Sequence, residues 1–178
     1  MSRRRRPSTD SGRPQPSPGA VARLYDQFGV SLYRHALMIL GRHDAAEDAV
    51  QQVFLALVRG PARGIRDPER YLRRAVRNAS YSRLRSTASQ RFDTVDATGR
   101  ELLEVIPGDE LSPMERMTLE AGISKLPPEQ REVLHLHTFE GLTFKEIAEA
   151  TGESANTAAS RYRYALERLR VSYSETKR

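Results

Sequence analysis

Asn156, Thr157, Ser160, Arg161 and Arg163 fall within two turns of a single stretch, and they are side-chain types that read nucleic-acid bases. Asparagine and arginine can make paired hydrogen bonds to adenine and guanine edges, and the small neighbours Ala155 and Ala159 permit close approach. The residues around them supply the frame. Thr143-Phe144-Lys145-Glu146 has the spacing of a capping box and opens a short helix holding Ile147 and Ala148. Gly152 suits a left-handed turn, and Ser154 caps a longer helix through Ala158, Tyr162, Ala165, Leu166 and Leu169. Short helix, glycine turn, capped basic helix is the helix-turn-helix pattern, whose second helix enters a major groove by its first residues. Arg168 and Arg170 lie further along and suit solvent or phosphate.

A second cluster lies upstream. Arg63, Arg66, Arg70, Arg73, Arg74, Arg77, Arg83, Arg85 and Arg91 are opposed locally by only Asp67 and Glu69. Helical spacing puts Arg73, Arg77 and Tyr81 on one face, with Arg70 and Arg74 beside them. Charge of one sign at that density calls for counterions or phosphates, and each phosphate neutralised steepens the salt dependence by about one unit. Asn78, Tyr81 and Ser82 add groups able to hydrogen-bond or stack on an unpaired base.

Catalytic chemistry has little to work with. His135 and His137 are two apart on a helix and point to different faces, while His35 and His43 are isolated. The chain contains neither a His-Glu-x-x-His motif nor a phosphate-cradling glycine loop. Tyr162 and Tyr164 could be compared with a recombinase nucleophile, but Tyr162 has core spacing and lacks an activating His/Arg constellation. The absence of cysteine removes disulfides, thiolate metal sites and cysteine nucleophiles, and fits a reducing cytoplasm. The expectation is therefore a protein without catalytic activity, metal or cofactor.

These clusters must be positioned by a chain of 178 residues with net charge +6, 38% hydrophobic and 29% charged. That composition supports compact domains of modest size and suggests a polyanionic partner. No apolar run approaches the ~20 residues that span a bilayer, so membrane insertion is not expected. Residues 1–19, with Arg3 to Arg6 and Pro7, Pro14, Pro16 and Pro18, read as a disordered tail, since the paired arginines lack the apolar stretch of an export signal.

Residues 20–88 read as three helices. The first carries Val21, Leu24, Tyr25, Phe28, Leu32, Tyr33, Ala36, Leu37 and Leu40 as an apolar stripe closed by Gly41. Asp44 to Glu47 has capping-box spacing ahead of a helix burying Ala46, Val50, Val53, Phe54 and Leu57. Asp67-Pro68-Glu69 starts a third, burying Tyr71, Leu72, Ala75, Val76 and Ala79. Residues 89–111 form an acidic, aperiodic linker with at most a helical turn near Glu101 to Val105. Residues 112–173 form the second domain, opened by Ser112-Pro113-Met114-Glu115 and broken at Leu126-Pro127-Pro128-Glu129. No strand alternation appears, so the fold class is all-α, two small helical domains on a flexible tether.

Read as motifs, these stretches resemble the extracytoplasmic-function (ECF) sigma factors. Ala46-Glu47-Asp48-Ala49-Val50-Gln51-Gln52-Val53-Phe54 and Asp67-Pro68-Glu69-Arg70-Tyr71-Leu72-Arg73-Arg74-Ala75-Val76-Arg77-Asn78 are similar to that family's region 2. Leu126-Pro127-Pro128-Glu129-Gln130-Arg131-Glu132-Val133-Leu134, Phe139 to Ala148, and Ser160 to Leu169 are similar to its region 4. The resemblance implies a function, promoter recognition and DNA melting for transcription initiation, and two main partners, core RNA polymerase and promoter DNA. An anti-sigma factor is a further candidate partner. It implies that Glu47, Asp48, Gln51, Gln52 and Phe54 contact the polymerase clamp helices, with region 4 resting on the flap. Arg63, Arg66, Arg73, Arg74, Arg77 and Asn78 would read and melt the minus-ten element. Asn156, Thr157, Ser160, Arg161 and Arg163 would read the minus-thirty-five element. The chain departs from the family pattern at Tyr71, where tryptophan is usual, and at Ala159, often lysine. The alternative reading is a helix-turn-helix regulator that binds operators without polymerase, which leaves the Asp44–Phe54 helix without a role.

Overall fold

In a computed structural model, described over residues 18–59, 65–88 and 112–176, every regular element is a helix. The helices are α1 (Pro18–Leu40), α2 (His43–Arg59), α3 (Pro68–Ala88), α4 (Pro113–Ser124), α5 (Pro128–Thr138), α6 (Phe144–Thr151) and α7 (Ala155–Thr176). Four of them begin on proline, whose missing N–H falls where a helix has no use for one. The expected tail and linker, and Arg63 with them, lie outside the described residues, except that α1 starts at Pro18, two residues ahead of the expected boundary.

The local signals act mostly as written. Asp67 Oδ1 accepts from the Arg70 amide at 3.0 Å, capping α3. Ser112–Glu115 and Thr143–Glu146 form reciprocal capping boxes, and Ser154 Oγ accepts from the Thr157 amide at 3.0 Å. Gly41 and Gly152 hold φ of 72° and 78°, the left-handed region that ends α1 and α6 without a Cβ penalty. Asp44 is the exception. Because α2 begins at His43, Asp44 already lies inside the helix, and its carboxylate accepts from the Arg42 guanidinium at 2.6 and 3.1 Å instead of closing a box with Glu47.

Helices α1–α3 make one bundle around Leu32, Ala36, Leu37, Val50, Phe54, Leu57, Leu72 and Val76. Helices α4–α7 make a second, in which α7 packs against each of the other three; a small cluster of Val133, Leu136, Ile147 and Ala158 holds the helix-turn-helix together. Tyr71 is not core as expected. It is 49% exposed, because α3 buries the neighbouring line of Leu72, Arg73, Val76 and Ser80.

The two bundles dock face to face. Ile123, Leu126 and Leu134 of the second join the apolar core of the first. Residues 131–136 of α5 are consequently buried without interruption, the signature of a helix surrounded on all sides. Arg131 is the clasp. Its guanidinium donates to Met38 O at 2.7 Å and Ile39 O at 2.8 Å, the free carbonyls at the end of α1, and to Leu126 O at 2.9 Å and Ser124 O at 3.2 Å in its own bundle. A cation at a helix C-terminus meets both the orphan carbonyls and the negative end of the dipole.

Candidate nucleic-acid and polymerase interface

Helix α7 projects from the turn at Gly152 so that its first residues face outward. Asn156, Thr157 and Arg163 are exposed, Ser160 and Ala159 half-buried. Ala158 and Ala165 are buried, and Tyr162 packs its ring on His137 and Phe144, which anchors the helix from behind. This is the arrangement a reading helix requires: a fixed back and a free N-terminal turn. Arg161 is not free. It is paired with Glu153, in the turn just before the helix.

The basic face of α3 is divided. Arg66, Arg74 and Asn78 are exposed. Arg73 and Arg77 are turned into the docked second bundle, with side chains 8% and 15% exposed. Arg77 Nε donates to Glu132 Oε1 at 2.9 Å, and its Nη2 reaches Glu153 Oε1 at 3.5 Å. Arg73 Nη2 donates to Glu69 Oε1 at 2.7 Å and contacts Glu140 Oε2 at 3.4 Å. Arg70 meets Glu149 at 3.1 Å, with both side chains about half exposed. Tyr81, expected to offer its ring to a base, donates its hydroxyl to Glu132 Oε2 at 2.8 Å and lies under the Arg77 guanidinium. Burial and the facing Glu132 push its phenol pKa well up. The charge that looked uncompensated along the chain is thus compensated from 55 to 79 residues away.

Glu132 is the hub. Fully buried, it accepts from Arg77 and Tyr81 and pairs with His35 Nε2 at 3.0 Å. Burial pushes its carboxyl toward the neutral form, but His35, Arg77 and the Tyr81 hydroxyl outweigh that, and its pKa is held below the ordinary value. Glu140 accepts from Ser31 at 2.9 Å and faces His135 at 3.4 Å. The His135 contact, then the Arg73 charge and the Ser31 hydroxyl, hold it down at about 2 against the opposing effect of burial. His135 is itself buried and stacked on His35, with ring centroids 6.1 Å apart; burial lowers its pKa, so it sits neutral. This carboxylate–histidine seam is absent from the sequence reading. The signal for it was there: Glu132 and His135 sit three apart, interleaved with the apolar positions of α5.

On α2, Glu47, Asp48, Gln51 and Gln52 are exposed along one side, and Asp48 pairs with Arg83 at 2.7 Å. Phe54 does not join them. It is 6% exposed, with the Tyr25 ring edge-on at 5.1 Å, and it supports the face from beneath. Leu55 and Val58, 51% and 40% exposed, also project from α2. Among the described residues no group of His, Asp and Glu has the make-up to hold a metal ion, and no helix is long and apolar enough to cross a membrane.

Comparison with known proteins places both bundles. The model for sigma-70 region 2 matches residues 24–90, and that for sigma-70 region 4 matches residues 116–169. The chain is 26% identical to the ECF RNA polymerase sigma factor SigL of Mycobacterium tuberculosis over 156 residues, covering 85% of this chain and 88% of SigL. It is 29% identical to the ECF sigma factor BldN of Streptomyces coelicolor over 143 residues, 76% of this chain and 53% of BldN. The fold is similar to the sigma factor RpoE of Bartonella quintana, crystallised with the anti-sigma factor NepR. That match has a TM-score of 0.66 at 20% identity and covers 86% of this chain and 96% of that one. With a region 2 bundle and a region 4 helix-turn-helix in the family's order, this chain belongs to the sigma-70 family, in its ECF group.

Proposed function

We propose that the chain serves as an RNA polymerase sigma factor whose two bundles divide the work by face. Region 2 binds core polymerase through the exposed side of α2, by Glu47, Asp48, Gln51 and Gln52, with Leu55 and Val58 adding apolar area. The α3 arginines and Asn78 take the minus-ten element, holding phosphates and an unstacked base. Region 4 reads the minus-thirty-five element in the major groove through Asn156, Thr157, Ser160, Arg161 and Arg163. The protein contributes recognition and strand separation, the polymerase the chemistry, and the work is done in the cytoplasm with the polymerase. The domain limits that fit this division are residues 20–88 and 112–173.

One observation carries the reading: an exposed acidic and amide face on α2 coexists, in one chain, with a helix-turn-helix whose reading turn is free. A regulator acting without polymerase has use only for the second. Core-polymerase pull-down at low ionic strength is the direct test, and absence of binding overturns the proposal. Asp48→Lys should weaken that binding on the order of tenfold, since a like charge replaces a complementary one. Arg161→Ala should cost ~1–3 kcal/mol in upstream-element recognition with polymerase binding intact. Equal loss of both would contradict the division.

A further inference from the structure

The turn ahead of α7 also acts on the side chains that follow it. The Gly152 and Glu153 amides both donate to Ala148 O, at 2.9 and 3.2 Å, so the backbone at Glu153 is fixed to the end of α6. From that anchored point the Glu153 carboxylate accepts from Arg161 Nη1, two turns along α7. Ser154 does the same for a nearer side chain: its Oγ accepts from the Thr157 amide and lies 2.8 Å from Thr157 Oγ1. Arg163 is held differently. It is exposed, its guanidinium lies 5.4 Å from the centre of the Tyr164 ring, and among the described residues no carboxylate pairs with it. We propose that Glu153 is a positioning residue for promoter recognition, presetting the Arg161 guanidinium for one base pair of the upstream element. Of the residues set against that element, Arg163 then holds a phosphate and supplies position rather than base choice.

The physical case has three parts. An arginine loses rotamer freedom when it pairs with a base, and a guanidinium already held by a carboxylate takes that loss on folding instead of on binding. Guanine is recognised by two parallel hydrogen bonds, so a guanidinium turned out of plane forfeits both; Glu153 fixes the plane at Nη1 and leaves the remaining donors to the base. Charge completes the division. Arg161 beside Glu153 is close to neutral as a pair and gains little from phosphates, whereas Arg163 carries its full charge to them. The pair's side chains are 27% and 23% exposed, within reach of a ligand and less screened than ions on an open surface. Arg77 meets the other carboxylate oxygen of Glu153 only at 3.5 Å, so the hold on Arg161 is internal to region 4.

The proposal rests on α7 being the reading helix of region 4, and the test separates the two ideas. The full-length chain, assembled with core polymerase, selects from a randomised duplex library, and sequencing of the bound fraction gives the preference at each base pair. The native protein should show a guanine preference at one position that Arg161→Ala reduces on the order of tenfold. Glu153→Ala should lose the same preference at the same position, and Glu153→Gln, whose amide oxygen still accepts, should keep part of it. Glu153→Ala with Arg161→Ala should be no worse than Arg161→Ala alone, since the two act through one contact. Arg163→Ala should weaken binding evenly and lower the salt slope by about one unit; a changed profile there refutes its assignment to phosphate. A residue that only supports the fold would erode every position together, so a loss spread over the whole profile in Glu153→Ala overturns the proposal. An unchanged profile in Glu153→Ala beside a loss in Arg161→Ala also overturns it, because Arg161 then orients itself. A sharper preference does so too, making the carboxylate a competitor of the base. If Arg161→Ala leaves the profile untouched, or the native protein has no preferred base, the reading of α7 fails and the proposal with it.

Discussion

Replacing Arg131 with methionine keeps a long side chain but removes the group that joins α1 to the α4–α5 corner. Four carbonyls lose their donor, and they divide into two pairs. Ser124 O and Leu126 O belong to region 4 itself, whereas Met38 O and Ile39 O reach across from region 2. The cross-domain pair bears on closure. Each hydrogen bond to a charged group is worth ~1.5–3 kcal/mol net, and a carbonyl left buried without a partner costs ~1–3 kcal/mol. Against this stands the desolvation of the guanidinium, which burial makes unfavourable enough to lower its pKa. Opening lets water reach the two α1 carbonyls, so the variant gains by separating. The balance is a loss of about 3 kcal/mol in closure, on the order of a hundredfold in the ratio of open to closed forms. Dyes at Gln52→Cys and Arg168→Cys, in a chain with no other cysteine, report the interdomain distance by energy transfer. A urea titration run in parallel separates loss of region 4 stability from opening. If the distance distribution stays native while region 4 weakens, Arg131 acts only within its own bundle and the clasp is refuted. If neither changes, the carbonyl accounting fails altogether.

Other outcomes follow from the same geometry. Gly152→Ala forces a left-handed backbone on a residue with a Cβ and should cost region 4 about 1 kcal/mol in thermal or urea unfolding. Native stability in that variant would mean the turn relaxes at no cost. Acid should open the domains. His135, with its pKa lowered by burial, regains the ordinary 6.5 when exposed, so below that pH the open form binds more protons and closure weakens. Glu140 adds a second loss in the same direction as pH falls from 4.5 toward about 2. The groups facing His135 are His35, Glu140, Arg73 and, through His35, Glu132. The interdomain distance should therefore lengthen on acidification, with His135→Phe flattening the upper part of the response; shortening in acid would reverse the sign of this reasoning.

Much of the architecture is local in origin and so can be read along the chain. Asp67, Ser112, Thr143 and Ser154 cap their helices with their own side chains, and Gly41 and Gly152 end helices by a conformation only glycine adopts freely. The helix-turn-helix and the exposed N-terminal turn of α7 follow from these signals, because a cap or a turn involves residues three or four apart. Two readings failed by one or two register positions. Tyr71 lies beside the buried line of α3, and Asp44 lies one residue inside α2. Phe54, assigned to a surface by resemblance, is placed by its packing in the core.

The docking of region 4 on region 2 belongs to the tertiary structure alone. Composition and spacing determine that α3 is a run of arginines and that Glu132, Glu140, Glu149 and Glu153 are scattered over α5, its following loop, α6 and the turn. Which cation meets which anion depends on how two bundles, joined through a long stretch of chain, come to rest against each other. Charge has no directional code along a sequence, and the partner of Arg77 lies 55 residues away. Burial then changes the chemistry. The same glutamate that would be an ordinary solvated carboxylate on an exposed helix becomes, at position 132, a desolvated acceptor held ionised by the histidine, arginine and tyrosine around it.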